Sequence, residues 1–161
     1  MPKKSAGLLP YRRRDNSLEV LLVHPGGPFW AKRDLGAWSI AKGEYEENEE
    51  PLQAALREFF EETGHQPAGP FLPLSERKQP GGKRVIAWAT ESDWDPSSLV
   101  SNAFTIEWPK GSGRTKEFPE VDRAEWFEIS EAARRIHQGQ QGFLDELYTM
   151  LTGKGFEEPA S

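Results

Sequence analysis

An α+β domain follows from three features of the chain. Short apolar segments bounded by Pro, Gly, Asn and Asp recur between residues 5 and 129, as β-strands do. Residues 51–64 instead carry apolar side chains at helical spacing. A second helical stretch lies near the C-terminus. At 161 residues the chain is long enough for one sizeable core and too short for two, so 1–152 form a single domain and 153–161 a flexible tail.

In order, residues 5–12 and 18–24 read as two strands joined by the turn-prone Asp15, Asn16 and Ser17. Leu18 to Val23 is mostly apolar, as a strand covered on both faces would be. Residues 25–36 form a long loop rich in Pro and Gly, and 38–41 a short strand running into a loop at Gly43. The internal helix starts at Pro51, which suits a first helical position, and stops at Gly64. Its buried stripe is Leu52, Ala55, Leu56 and Phe59, set away from Glu58 and Glu62. Residues 69–81 are loop-like with one short strand. Residues 85–90 form a central strand, 93–98 a turn, 103–108 a further strand, 109–117 a basic loop and 124–129 a last strand. Ser130 caps a helix to His137, and a second helical run covers 143–151.

Composition narrows the function classes. A net charge of −6 excludes a non-specific duplex-DNA binder, which needs a basic footprint. Six Trp and nine Phe supply core despite a polar average. With no cysteine there is neither a disulfide framework nor a thiolate metal site. No apolar run is long enough for a membrane span, and no signal-like segment follows Met1, so a soluble cytoplasmic protein is expected.

Residues 43–65 carry the chemistry. Gly43, Glu49, Arg57, Glu58, Glu61, Glu62 and Gly64 stand at the spacing G-x5-E-x7-R-E-x-x-E-E-x-G. On a helix Glu61 and Glu62 lie three and four residues beyond Glu58, so the three carboxylates share one side. Such crowding is repulsive, and a divalent cation bound by hard oxygen ligands relieves it. The alternative is a solvated acidic face. Residue usage alone would yield the full pattern on the order of once in a million such chains, which favours the metal reading.

The signature resembles the Nudix box, the strand-loop-helix of the Nudix hydrolases, and Gly36 to Glu44 is similar to that family's W-x-x-P-K-G approach. Two residues depart from the pattern: His65 replaces an aliphatic residue after the last Gly, and Ala41 a Pro before Lys42. These put packing behind the helix and rigidity of the loop in doubt. The resemblance implies an α/β/α sandwich with a mixed β-sheet, the box helix bearing the site. It implies hydrolysis of a diphosphate linkage in a nucleoside diphosphate derivative, dependent on Mg²⁺ or Mn²⁺. Glu58, Glu61 and Glu62 are then the core metal ligands, with the backbone carbonyl of Lys42 as a further oxygen. Arg57 orients a neighbouring carboxylate, Gly43, Glu49 and Gly64 brace the loop, and the general base is Glu58 or a more distant carboxylate.

Many family members add a carboxylate beyond the box, ahead of a Trp-containing strand. Glu120, six residues before Trp126, fits that position, with Asp93, Asp95, Glu107 and Glu117 as competitors. Phe29, Trp30, Lys32 and Arg33 combine stacking surface with positive charge and suit a nucleobase beside a polyphosphate; a hydrophobic plug under the loop is the alternative. Lys83 and Arg84, and Lys110, Arg114 and Lys116, offer two grips on a phosphate tail or simply two solvated turns. His24 and His137 mark a strand end and a helix end and nothing more. The expected partner is a small phosphoanhydride, with the lean toward dinucleoside polyphosphates of the diadenosine tetraphosphate type, or nucleoside triphosphates. Capped RNA, ADP-ribose and inositol pyrophosphates stay open. A catalytically idle domain that senses a nucleotide or RNA is the alternative function, against which the intact Glu58, Glu61 and Glu62 speak.

Overall fold

The computed structural model describes residues 4–79 and 81–153, so all but one residue of the expected tail lies outside the described residues. Strands β1 (Lys4–Arg14) and β2 (Ser17–Pro25) form an antiparallel hairpin. Asp15 and Asn16 turn it with φ of 49° and 65°, the left-handed pair whose twist matches the flanking strands and which short polar side chains tolerate.

One edge of β1 pairs in parallel with β6 (Arg84–Glu91). The other edge is divided: Ser5 to Leu8 pair with β3 (Ala41–Glu44), and Tyr11 to Arg14 with β2. β2 in turn pairs with β9 (Val121–Glu128). Two short strands, β4 (Leu72–Pro73) and β5 (Arg77–Lys78), finish the far edge on β6. The sheet is therefore mixed, in the order β4-β6-β1-β2-β9 with β3 beside β1. β7 (Ala103–Glu107) and β8 (Thr115–Pro119) form a separate two-stranded ribbon.

Alternation along the strands sends side chains to two cores. Leu9, Tyr11, Val20 and Leu22 pack with α2 (Ile129–Arg135) and α3 (Gln141–Thr152), through Ile129, Ala132, Phe143, Leu144 and Leu147. Leu8, Leu21 and Val23 face the other way, onto Ala54, Ala55 and Phe59 of α1 (Pro51–Thr63). Helices thus cover both faces of a mixed sheet, the expected sandwich. Among the described residues, no helix is long and apolar enough to cross a membrane.

Several local expectations are corrected. Ser130 does not cap α2; Glu128 holds the cap position and accepts a hydrogen bond from the Ser130 hydroxyl. The strand at 38–41 starts later, at Ala41, and carries Gly43 within it, while Trp38 and Ser39 make isolated bridges. Ala41 is buried in this pairing, so it loosens nothing. Residues 115–119 are strand rather than loop, which confines the basic turn to 109–114. His65 stacks on Trp94 at 5.3 Å and meets Phe59 edge-on at 6.1 Å, so it packs behind the helix instead of weakening it. The buried side of α1 is Ala54, Ala55, Phe59, Glu62 and Thr63, with Leu52 and Leu56 only partly covered. Glu62 therefore lies inside the packed face, where the sequence placed it outside.

Candidate active site

The acidic cluster is built by β3 and α1. Pro51 opens the helix where a missing N–H is harmless, and Gly64 closes it at φ 80°, its N–H donating to the Phe60 carbonyl at 2.7 Å. Glu58, midway along, presses its carboxylate onto β3. A methyl group at Gly43 would lie 2.0 Å from Glu58 Cδ and Oε2. Glycine is needed at 43 for this close approach. Gly43→Ala should leave folding nearly unchanged, since an extended backbone accepts alanine, yet displace Glu58 by an ångström or more. We expect turnover to drop about a hundredfold, read by steady-state kinetics beside a thermal melt. Undiminished turnover would separate Glu58 from the chemistry.

Arg57 organises the outer part of the cluster. Its Nε and Nη2 donate to the two carboxylate oxygens of Glu49 at 2.8 and 3.0 Å, and Nη1 donates to Glu58 at 3.0 Å and Glu61 at 3.3 Å. This bidentate pair ties Glu49, the residue expected to brace the loop, to the helix at Arg57. Burial raises the Glu58 carboxyl above its usual range against the pull of Arg57. Glu62, 8% exposed, is pushed up to about 9, first by burial and then by Glu58 and Glu120, with only Lys42 opposing among its main influences. Burial and the nearby Lys83 hold Lys42 below the ordinary lysine value.

Glu120 reaches this cluster through the backbone of Asn102. The Asn102 N–H donates to the Glu61 carbonyl at 2.7 Å, and the Asn102 carbonyl accepts from the Glu120 N–H at 2.8 Å. The Glu120 carbonyl accepts from Gly26 N–H at 2.9 Å, where a side chain at 26 would strike the Pro119 carbonyl. Partial burial and Glu61 both raise the Glu120 carboxyl. The competitors lie elsewhere: Asp93 pairs with Arg12 and Arg14, Asp95 caps a turn at Ser97, Glu107 accepts from Gly111 N–H, and Glu117 stands exposed on the ribbon. Asn102 has no sequence signal, because its role is carried by main-chain atoms.

A cavity of about 230 Å³ adjoins the cluster, and Lys42, Glu62, Glu120 and Trp30 are among the residues that line it. Of the four residues proposed to hold a base, only Trp30 lines it. Arg33 lies 5.5 Å over the Trp30 ring, Phe29 is 66% exposed and meets Trp108 edge-on, and Lys32 is exposed. The two basic turns are not brought to it. Lys83 pairs with Glu44 and Arg84 with Glu76, and Lys110 and Arg114 sit exposed on the ribbon turn. Four polar lining residues have no functional reading from the sequence: Ser39, Gln79, His137 and Gln140. His24 was also undervalued. It is fully buried, with Nδ1 2.8 Å from Asp122 and Nε2 2.6 Å from the Arg33 carbonyl, and so ties the 25–36 loop to β9.

The acidic set suits a hard divalent cation. Four carboxylates in mutual electrostatic contact, one of them buried, are a poor arrangement without positive charge and a good one with it. Among the described residues no three of them already converge on one point, since Arg57 draws Glu58 and Glu61 toward its own guanidinium.

Comparison with known proteins places this geometry. A NUDIX domain model matches residues 1–147. RNA pyrophosphohydrolase of Bartonella henselae (strain Houston 1) is 40% identical over 67 residues, covering 35% of this chain and 37% of that protein. Its counterpart in Bartonella quintana is 37% identical over 67 residues, with the same coverage. The chain thus matches little more than a third of the length of these relatives. The NUDIX domain of Shewanella oneidensis NrtR, solved with ADP ribose, superposes with a TM-score of 0.64 at 17% identity, over 94% of this chain and 90% of that one. A C. elegans Ap4A hydrolase binary complex gives 0.61 at 21%, over 94% and 99%. At those identities the two structures speak to the fold.

Proposed function

The chain belongs to the Nudix family, and from that premise we propose that it hydrolyses a diphosphate linkage in a nucleoside diphosphate derivative with the help of divalent metal ions. The observation that carries this reading is the buried Glu62 at the wall of a cavity, facing Glu58 and Glu120 with Lys42 as the nearby cation. Mg²⁺ or Mn²⁺ held by Glu58, Glu61, Glu62 and Glu120, with the Lys42 carbonyl, would neutralise phosphoryl oxygens and acidify an attacking water. Arg57 keeps Glu58 and Glu61 from splaying, through hydrogen bonds it already makes. Lys42 offers its ammonium to a bound phosphate, and Trp30 offers a ring face to a base. Glu58 or Glu120 takes the proton from water, both being carboxyls whose proton affinity is raised.

The similarity to RNA pyrophosphohydrolases brings triphosphorylated RNA ends into the substrate range, and the fold shared with an Ap4A hydrolase supports dinucleoside polyphosphates. The separated basic turns give a long phosphate chain no continuous grip, so nucleoside triphosphates and RNA 5′ ends move level with dinucleoside polyphosphates. A phosphate-release panel tests the reading: these three classes, ADP-ribose and inositol pyrophosphates, each with Mg²⁺, Mn²⁺ and EDTA. We expect turnover of at least one nucleotide substrate that EDTA abolishes. Metal-independent binding without turnover would point to a nucleotide sensor instead.

A further inference from the structure

Gln79, His137 and Gln140 come from separate parts of the chain and meet on the cavity wall. Their hydrogen-bonding faces are fixed from the backbone outward. The Ile40 N–H can only donate, and it lies 3.0 Å from the Gln140 side chain, so the atom it meets is the amide oxygen. The Gln140 nitrogen must then be the other atom, which reaches Ser39 Oγ at 3.1 Å and the Gln79 side chain at 3.3 Å. Ser39 spends its own hydrogen on the Ile40 carbonyl at 2.6 Å, so it accepts from Gln140. The Gln79 atom facing a donor is therefore its oxygen, which leaves the Gln79 amide nitrogen with two hydrogens and no partner among the described residues. His137 is fixed by the same logic. Gly139 N–H donates to Nδ1 at 3.1 Å, so the hydrogen of the neutral ring sits on Nε2.

The wall thus offers two N–H donors, Gln79 Nε2 and His137 Nε2, from residues that both hydrogen-bond to Gln140, which is 2% exposed and whose side chain is fully used. Val23, Ile40 and Trp30 supply apolar surface around them. At about 230 Å³ the space falls below the roughly 300–1,000 Å³ of sites for drug-sized ligands, which suits one ring system.

We propose that Gln79 and His137 read the acceptor edge of a purine, so that this site prefers 6-oxopurine nucleotides, guanine or hypoxanthine, over adenine. The proposal rests on the reading that the cavity takes a nucleotide. Guanine and hypoxanthine present N7 and O6 side by side, two acceptors for two donors. Adenine presents N7 beside its 6-amino group, which sets donor against donor and leaves a buried N–H unpaired.

Nucleoside monophosphates contain no anhydride bond, so their binding is measurable apart from turnover. Quenching of tryptophan fluorescence by GMP, IMP and AMP, in Mg²⁺ and in EDTA, should show GMP and IMP binding alike and about tenfold or more tighter than AMP. With Gln79 opposite the 6-position and His137 opposite N7, Gln79→Glu keeps an oxygen toward Gln140 and replaces the discriminating donor by an acceptor, so it should erase or reverse the preference. His137→Phe removes the donor to N7 that all three share and should weaken GMP, IMP and AMP alike. Circular dichroism and melting confirm that both variants fold. AMP binding as tightly as GMP, a Gln79→Glu protein with the wild-type ratio, or no binding of any of the three at millimolar concentration would each overturn the proposal. Paired kcat/KM values for GTP and ATP separate the two readings. A GMP preference without metal-dependent turnover removes the hydrolase reading and keeps the base reading; turnover without base preference does the opposite.

Discussion

Glu62→Gln is expected to lower turnover by roughly three orders of magnitude, about 4 kcal/mol of barrier, and at the same time to raise the melting temperature of the metal-free protein. The two effects share one cause. Glu62 is 8% exposed, and burial, with Glu58 and Glu120 behind it, raises its carboxyl from 4.5 to about 9. Below pH 4.5 it is protonated in folded and unfolded chains alike and contributes no pH-dependent penalty. Above that the unfolded chain gives up its proton while the folded chain keeps it. Stability of the metal-free protein therefore falls as pH rises toward about 9. At neutral pH the penalty is on the order of 3 kcal/mol. Glutamine carries no charge in either state and removes it, which for a chain of this size means a rise of roughly 5 °C or more. Saturating Mg²⁺ should reverse the ranking, because an ion that binds only the folded wild-type protein stabilises it by mass action. Melts in EDTA and in Mg²⁺ at pH 5, 7 and 8.5 check this. A variant no more stable than wild type in EDTA at pH 7, or one that still turns over, would contradict the placement of Glu62.

What could be read from the sequence was what depends on neighbours along the chain. The hairpin at Asp15 and Asn16 and the helix opened by Pro51 and closed by Gly64 are short-range features, and the structure has both. Features set by packing were harder. Apolar spacing alone sets Glu62 off the buried stripe, yet a helix laid against β1 and β3 turns it inward with Phe59. Ser130 is the better capping residue by type, but the chain enters α2 two residues earlier, at Glu128. Sequence places Gly43 in a loop, whereas in the fold its small size serves a strand meeting Glu58. Glu120 could be placed only by resemblance, since its link to α1 passes through Asn102 main-chain atoms. The polar wall left no trace at all: Gln79 and Gln140 are 61 residues apart and meet only in the fold.

Phe59→Ala is expected to destabilise the protein by about 3–5 kcal/mol, a large share of the roughly 5–15 kcal/mol typical of a domain. Phe59 is fully buried between the sheet residues Ala6, Leu8, Leu21 and Val23 and the aromatic pair of His65 and Trp94. Its walls are strands and stacked rings, which collapse poorly into a void, so the upper part of that range applies. Phe59→Leu retains most of the volume and should cost under half as much. The kinetics should follow the same order. Phe59 touches neither phosphate nor metal ligand in this reading, but it anchors the turn of α1 that holds Glu58 against Gly43 and Glu62 against the cavity. A loosened helix moves both carboxylates, so Phe59→Ala should lose kcat at temperatures well below its own melting point while Phe59→Leu regains it. Urea unfolding of both variants with parallel kinetics decides the matter. A loss below about 1.5 kcal/mol for Phe59→Ala would mean that another face of α1 carries the packing. A full loss of stability with unchanged kcat in the folded fraction would mean that the site is held by β3 and the Arg57 brace alone.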